Sequence, residues 1–149
     1  MKLYARKVVL ASEAGNIERA QPGKEYPAGT YIIPLSGVNR AVCEVLMEPR
    51  EVNSRFACIT FKDDMHPHYL AAIMDREIDR FLTRYATGIN LQMDALQKYF
   101  KVEIHTDKAT RDAIGEMQRK AQEAIEYEKK VIELNKECKK YMLSNMFPD

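Results

Sequence analysis

The chain has 149 residues, enough for one compact domain and an appendage, and its 23 basic and 22 acidic residues leave a net charge of +1. Strong nonspecific nucleic-acid binders are usually more basic, because phosphate contacts supply most of that affinity. The three cysteines are widely spaced and include no CxxC pair, so neither a disulfide framework nor a zinc ribbon is indicated. Without a signal peptide or an apolar run of about 20 residues, we expect a cytoplasmic protein with no membrane partner.

The first 62 residues have the pattern of a small, mostly antiparallel sheet. Glycines and prolines are concentrated at 14–29, which we expect to be mostly turn and loop. Pro34 has no amide hydrogen to donate to a ladder, so we expect its strand at a sheet edge or at a bulge. Short runs of β-branched and aromatic residues predict strands at 7–10, 30–37, 41–47 and 55–62.

The hydrophobic period then changes to three- and four-residue steps, which predicts helices packed against the sheet. Residues 65–88 predict an amphipathic helix that stops at Gly88. Residues 90–99 predict a shorter helix capped by Asn90. Residues 100–105 return to the character of a strand.

A proline-free stretch, residues 109–147, predicts one long C-terminal helix with Thr106 or Asp107 as its cap. At ~1.5 Å per residue this helix would be roughly 55 Å long, so we expect it to project beyond the preceding domain. The expected fold is α+β: a small, mostly antiparallel β domain with two packed helices, then the long helix. We place the domains at 1–105 and 106–149.

The apolar stripe of the long helix is interrupted by small and polar residues. Such a stripe is typical of a weak zipper, which gains stability only when another polypeptide covers it. We therefore expect a second copy or another chain to pack against it. The candidate dimerisation and docking residues are Ile114, Met117, Ala121, Ile125, Val131, Ile132, Cys138 and Met142.

No catalytic constellation is evident in the sequence. The GxSxG, GxxxxGK[ST] and GxGxxG motifs are absent, and Cys43 and Cys58 fall among apolar neighbours as core thiols do. The candidate metal cluster consists of Asp63, Asp64, His66 and His68. Pro67 should turn the two histidines apart, and acidic groups near a helix N-terminus are favoured without a metal. We expect no catalysis, metal or cofactor in this chain.

Three predicted loops, 36–40, 53–55 and 83–90, carry asparagine and arginine side chains. These side chains make paired hydrogen bonds to adenine and guanine edges, so three such loops on one rim would line a DNA groove. Alternatively, the asparagines and glycines serve only the backbone geometry of ordinary turns. The candidate DNA-binding residues are Asn39, Arg40, Asn53, Arg55, Arg84 and Asn90.

A series of short motifs extends through residues 28–147. In chain order they are a strand ending in Ser36-Gly37, a loop with Asn53, "PHYL" at 67–70, a turn from Gly88 to Asn90, and "VIELNKECKKYMLSNMF" in the long helix. This order resembles the latter half of a target-recognition domain from the specificity subunits of type I restriction-modification systems.

The resemblance implies a noncatalytic subunit that reads double-stranded DNA. Long helices in that family hold two recognition domains apart and dock a DNA adenine methyltransferase subunit, which binds S-adenosylmethionine. Full specificity subunits contain two such units, so this chain resembles a half-subunit that forms a homodimer or pairs with a related specificity subunit.

Two departures from the family pattern leave an alternative open. Only residues 1–27 precede the matching region, so part of the usual DNA-reading surface is expected to be missing. The proline-rich entry to the long helix is replaced by "EIHTDKATRD". The alternative is a shortened protein-interaction module of the same fold without useful DNA binding.

Overall fold

The computed structural model describes residues 5–86 and 90–147. Its strands are β1 (Arg6–Leu10), β2 (Gly15–Arg19), β3 (Glu25–Tyr26), β4 (Tyr31–Pro34), β5 (Glu44–Val45), β6 (Arg50–Glu51), β7 (Phe56–Phe61) and β8 (Lys101–His105). Its helices are α1 (Ala11–Ala14), α2 (Pro67–Tyr85), α3 (Met93–Tyr99) and α4 (Lys108–Met146), and a 3₁₀ turn covers Arg40–Val42. The predicted α+β class with a long C-terminal helix is confirmed.

The chain divides into two compact units, residues 1–116 and residues 117–149. The division falls inside α4, about a turn and a half after Thr110, whose side chain is buried in the first unit. The first unit holds the sheets and helices α1 to α3. The second unit is the remainder of α4. None of the described helices combines the length and apolar character that crossing a bilayer requires.

The largest sheet has the strand order β2-β7-β4-β5 with antiparallel pairing throughout. The expectation that 14–29 is mostly turn and loop is wrong, because β2 and β3 lie inside that stretch. Gly15 is a strand residue: a Cβ there would lie 2.3 Å from the carbonyl oxygen of Thr60 on the neighbouring strand. The glycine therefore permits close strand pairing, whereas its residue type suggested a turn.

Pro34 is accommodated where one neighbouring strand has already ended. β4 lies between β7 and β5, so the expected edge position is wrong for the strand as a whole. The pairing with β5 covers only Tyr31 and Ile32. The amide of Leu35 donates to the carbonyl oxygen of Arg55, the residue before β7, 2.9 Å away, so the nitrogen of Pro34 faces the opposite, unpaired side. No ladder hydrogen bond is lost at the proline.

Helix α2 lies across the sheet and supplies much of the core. The predicted helix is confirmed, with Pro67 in its first turn, while the predicted stop at Gly88 lies outside the described residues. Its core side chains recur at helical spacing, as the sequence period indicated. The buried apolar residues of α2 are Tyr69, Leu70, Ile73, Met74, Ile78 and Phe81.

A two-stranded ribbon, β1 paired antiparallel with β8, completes the first unit. Val102 and Ile104 of β8 face the core and are almost fully buried. The buried Tyr69 fixes the end of this ribbon, because its hydroxyl accepts from the amide of His105 at 2.9 Å and lies 3.0 Å from Nδ1 of the same residue. These two contacts tie helix α2 to the end of the ribbon.

Helix α3 begins later than the sequence indicated. Its N-cap is Gln92, so the prediction that Asn90 caps it is wrong. Asn90 instead forms an isolated antiparallel bridge with Ser36, and the amide of Leu91 donates to the carbonyl oxygen of Leu35 at 3.0 Å. Sheet-like contacts to the segment that follows β4 therefore override the local capping preference of asparagine.

The start of α4 is fixed by a cap and by a close contact with α2. Of the two predicted caps, Asp107 is the one used, since its carboxylate accepts from the amide of Thr110 at 3.2 Å. The ring of His66 packs against Gly115: a Cβ on that glycine would lie 2.6 Å from the imidazole carbon Cγ. The same ring accepts from the amide of His68 through Nδ1, 3.2 Å away.

We predict that Gly115→Ala lowers the free energy of unfolding by about 1–3 kcal/mol, because the new methyl group overlaps the His66 ring. In a His66→Ala background the same change should raise it by roughly 1 kcal/mol, since alanine is the better helix former. Urea unfolding of the four proteins measures both effects. A stabilising Gly115→Ala in the presence of His66 would contradict the contact.

We predict an acid-sensitive contribution to stability from His105. Burial, with a smaller effect from nearby Arg6, lowers the pKa of this imidazole below its ordinary value of 6.5. The unfolded chain therefore binds the proton more readily, so the contribution is present above the ordinary pKa and is lost as pH falls through the folded one. Urea unfolding between about pH 7.5 and about pH 5 should show this loss.

His105→Asn is the matched comparison, because asparagine offers the hydroxyl of Tyr69 an acceptor but does not titrate. The variant should show a shallower fall in the free energy of unfolding over the same range. Identical pH dependence in the two proteins would assign the acid sensitivity to other groups.

Candidate nucleic-acid interface

Three chain segments meet at the end of the large sheet where β2 and β4 finish and β7 begins. The register pairs Arg19 with Ala57 and Pro34 with Phe56, which brings these strand ends side by side. The segment that leads into α3 joins them through the Ser36–Asn90 bridge. Antiparallel pairing thus collects residues that are far apart in the chain.

A polar cavity of about 320 Å³ lies at this edge. Arg19 and Arg55 supply its charge, both side chains are exposed, and neither has an ion-pair partner among residues 5–86 and 90–147. The lining contains no acidic residue. We call this set the sheet-end site: Arg19, Leu35, Ser36, Ser54, Arg55, Asn90, Leu91 and Gln92.

Two of the six predicted DNA-binding residues, Arg55 and Asn90, line the sheet-end site. Asn53 stands next to it and shapes the turn, because its side-chain oxygen accepts from the amide of Arg55 at 2.9 Å. This oxygen therefore serves the backbone geometry of a turn, which was the alternative to DNA contact. The turn fixes the backbone of Arg55 just before β7 begins.

The other three predicted residues do not line this cavity. The side-chain oxygen of Asn39 accepts from the amide of Ala41 at 3.0 Å and caps the 3₁₀ turn. Arg40 pairs with Asp79 of α2 at 2.6 Å. Arg84 lines a different and larger cavity, of about 630 Å³. All three predicted loops nevertheless reach the sheet-end site, because Ser36, Arg55 and Asn90 each come from a different one.

Sequence reasoning missed Arg19, Ser54 and Gln92 as members of this site. Arg19 lies in the stretch 14–29 that was expected to be mostly turn and loop, so its place in a strand was not predicted. A usable signal existed in the alternation around Ile17, which is buried between the polar Asn16 and Glu18. Gln92 had no local signal, since only the contacts of Asn90 and Leu91 with the segment after β4 bring it to the sheet edge.

The cysteines of the first unit lack the features of activated nucleophiles. Burial raises the pKa of the Cys43 thiol to about 11 and that of Cys58 to about 11. Reactive cysteines have depressed pKa values in electropositive surroundings, so these thiols stay protonated at neutral pH. They are components of the packed interior.

His66, one member of the histidine and aspartate cluster considered from sequence, has a structural role. Both ring nitrogens of His66 are engaged, Nδ1 with the amide of His68 and Nε2 with the carboxylate of Glu116, each at 3.2 Å. Within the described ranges, no group of three or more His, Cys, Asp or Glu side chains is placed to hold a metal ion.

The candidate docking residues on α4 fall into two groups. Ile114 packs partly against the core of the first unit. From Met117 onward the predicted residues have substantial exposure, from 38% at Val131 to 72% at Met117. A neighbouring line at seven-residue spacing was missed: Tyr127, Leu134 and Tyr141, all exposed. The second unit therefore presents more apolar surface than the sequence stripe suggested.

No protein-family model, curated protein or solved structure matches this chain. The resemblance to type I specificity subunits stays a prediction that depends on the order of short motifs. Function is accordingly argued from the geometry and charge of the site.

Proposed function

We propose that the chain is a noncatalytic DNA-recognition half-subunit of the type I restriction-modification kind. In this proposal the sheet-end site contacts double-stranded DNA and residues 117–147 assemble the chain with a second copy or a related specificity subunit. The observation that carries it is the meeting of Arg19, Arg55 and Asn90 in one cavity at the sheet edge, where none of the described lining residues is acidic.

The chemistry of the sheet-end site suits a DNA groove. Arginine makes paired bonds to guanine O6 and N7, and asparagine makes paired bonds to adenine N6 and N7. Serine hydroxyls and backbone amides contact phosphates, which positions a protein on the duplex. Ser36 and Ser54 flank the base-reading candidates, so one edge holds both kinds of contact. The two arginines have no ion pair to break before they bind.

The long helix supplies the assembly part of the proposal. Among the described residues, eleven large apolar side chains between Met117 and Phe147 are exposed. A helix gains most of its stability in a protein by burying such a face. By resemblance, a DNA adenine methyltransferase subunit would dock on this helix and would bind S-adenosylmethionine, so that methyl transfer belongs to the partner.

A protein-interaction module without useful DNA binding is the second candidate. It is favoured by the net charge of +1 and by the engagement of Arg40 with Asp79. The oxygens of Asn39 and Asn53 are likewise occupied by backbone amides. In this reading α4 is the functional surface and the sheet-end site is an ordinary polar edge.

We predict that Arg55→Gln or Arg19→Gln weakens binding to a selected duplex by about 1–3 kcal/mol, because each removes a paired contact to a base or a phosphate. Fluorescence anisotropy on duplexes selected from a pool, with and without a candidate methyltransferase, measures the change. Arg50→Gln is the matched control, since Arg50 pairs with Glu44 and lies outside the site.

The same titrations distinguish the two candidates. Loss of binding confined to the Arg19 and Arg55 variants, with a shallower salt dependence, supports DNA recognition. Absence of duplex binding by the parent chain at low salt, alongside tight capture of the methyltransferase, supports the interaction module. Equal weakening by all three variants would mean that only general charge matters.

A further inference from the structure

A second cavity, of about 630 Å³, lies where α2, the end of α3 and the ribbon of β1 and β8 meet. Its volume is within the range of about 300–1,000 Å³ typical of small-molecule sites. We call this set the ribbon cavity: Val8, Glu77, Asp79, Arg80, Phe81, Thr83, Arg84, Tyr85, Tyr99, Lys101 and Glu103. It shares no lining residue with the sheet-end site.

The charges of the ribbon cavity do not cancel, although it contains three acids and three bases. Each acid is already paired: Glu77 lies 3.0 Å from Arg76, Asp79 lies 2.6 Å from Arg40, and Glu103 lies 3.5 Å from Arg6 as well as 3.1 Å from Arg76. Arg6, Arg40 and Arg76 are outside the lining, so three cations face the three acids from outside the cavity. Because arginines outside the cavity neutralise its three acids, the bases that line it leave an excess of positive charge.

Two of those bases, Arg84 and Lys101, have no ion-pair partner in the part of the chain that the structure describes. They come from different elements, one from the last turn of α2 and the other from the first residue of β8. Arg80 has a weak ion pair, because it lies 3.9 Å from Glu77 and its side chain is largely exposed. The cavity is therefore suited to an anion.

Aromatic rings form one wall. Tyr85 and Tyr99 are stacked with ring centroids 5.0 Å apart and planes inclined by 3°. Tyr85 covers one side of Tyr99, whose side chain is still 49% exposed, and Phe81 continues the wall behind Tyr85. A flat ring placed on the exposed side of Tyr99 would extend an existing stack. Val8, which is exposed, adds an apolar surface.

We propose that the ribbon cavity binds a mononucleotide, with the base stacked on Tyr99 and the phosphate held by Arg84 and Lys101. The ligand must be both flat and anionic, because an aromatic platform and unpaired cations occur in one cavity. A base paired inside a duplex has no free face for such a stack, so the ligand is a free nucleotide. The site operates independently of DNA reading at the sheet end.

Isothermal titration of the full chain with adenosine 5′-monophosphate tests this site. Saturable binding is expected, with adenosine and inorganic phosphate each weaker, since each offers only half of the recognised chemistry. Tyr99→Leu should weaken binding by roughly tenfold through loss of stacking, whereas Tyr99→Phe keeps the ring and should bind like the parent. The double variant Arg84→Gln with Lys101→Gln should also lose about tenfold.

Arg55→Gln separates this site from the proposed DNA interface, because it should leave nucleotide binding unchanged. Circular dichroism checks that each variant is folded, and the exposed charge variants carry the test if Tyr99→Leu unfolds. Absence of saturable heat up to roughly 5 mM nucleotide would overturn the proposal. Phosphate binding as tight as that of the nucleotide, or unchanged affinity in the charge variants, would overturn it equally.

Discussion

Exposed apolar side chains along one long helix are the constraint on which the rest of this molecule depends. Helix α4 has 39 residues, and from Met117 onward its large apolar side chains are exposed in a unit whose described part is this helix and Phe147. Propensity alone gives an isolated helix marginal stability in water. The proposed assembly with a second polypeptide buries these apolar side chains and stabilises the helix along its length.

The first unit derives its candidate binding surfaces from strand register. Pairing of β2, β4 and β7 places residues from three parts of the chain at one sheet edge. The ribbon of β1 and β8 joins α2 through the Tyr69–His105 hydrogen bonds, and a separate cavity is lined by charged residues of α2 and β8. Two candidate sites with different chemistry thus follow from two independent pairings.

The sequence pattern was sufficient to predict elements whose hydrophobic period can be seen within their own residues. Helix α2 was predicted because apolar side chains recur from Leu70 to Phe81 at helical steps. β2 was not, because Gly15 is typical of turns and its real role is to approach Thr60 closely. That role becomes visible only once the two strands are paired.

The same limit applies to the sites. The loops at 36–40, 53–55 and 83–90 were expected on one rim because each carries asparagine or arginine at the end of a predicted element, and each supplies a residue of the sheet-end site. Arg40 was expected beside them and instead pairs with Asp79, 39 residues away in the chain. Ion pairs between distant elements have no sequence period, so a single sequence cannot predict them.

Sedimentation equilibrium of the purified full chain tests the central claim most directly. We predict a species of twice the 17.2 kDa chain mass at high concentration. Replacing Ile125 and Ile132 with glutamate should convert it to the monomer, while Glu126→Gln with Glu133→Gln, on the same turns, should leave the dimer intact. A parent chain that stays monomeric at millimolar concentration, with α4 still helical by circular dichroism, would contradict it.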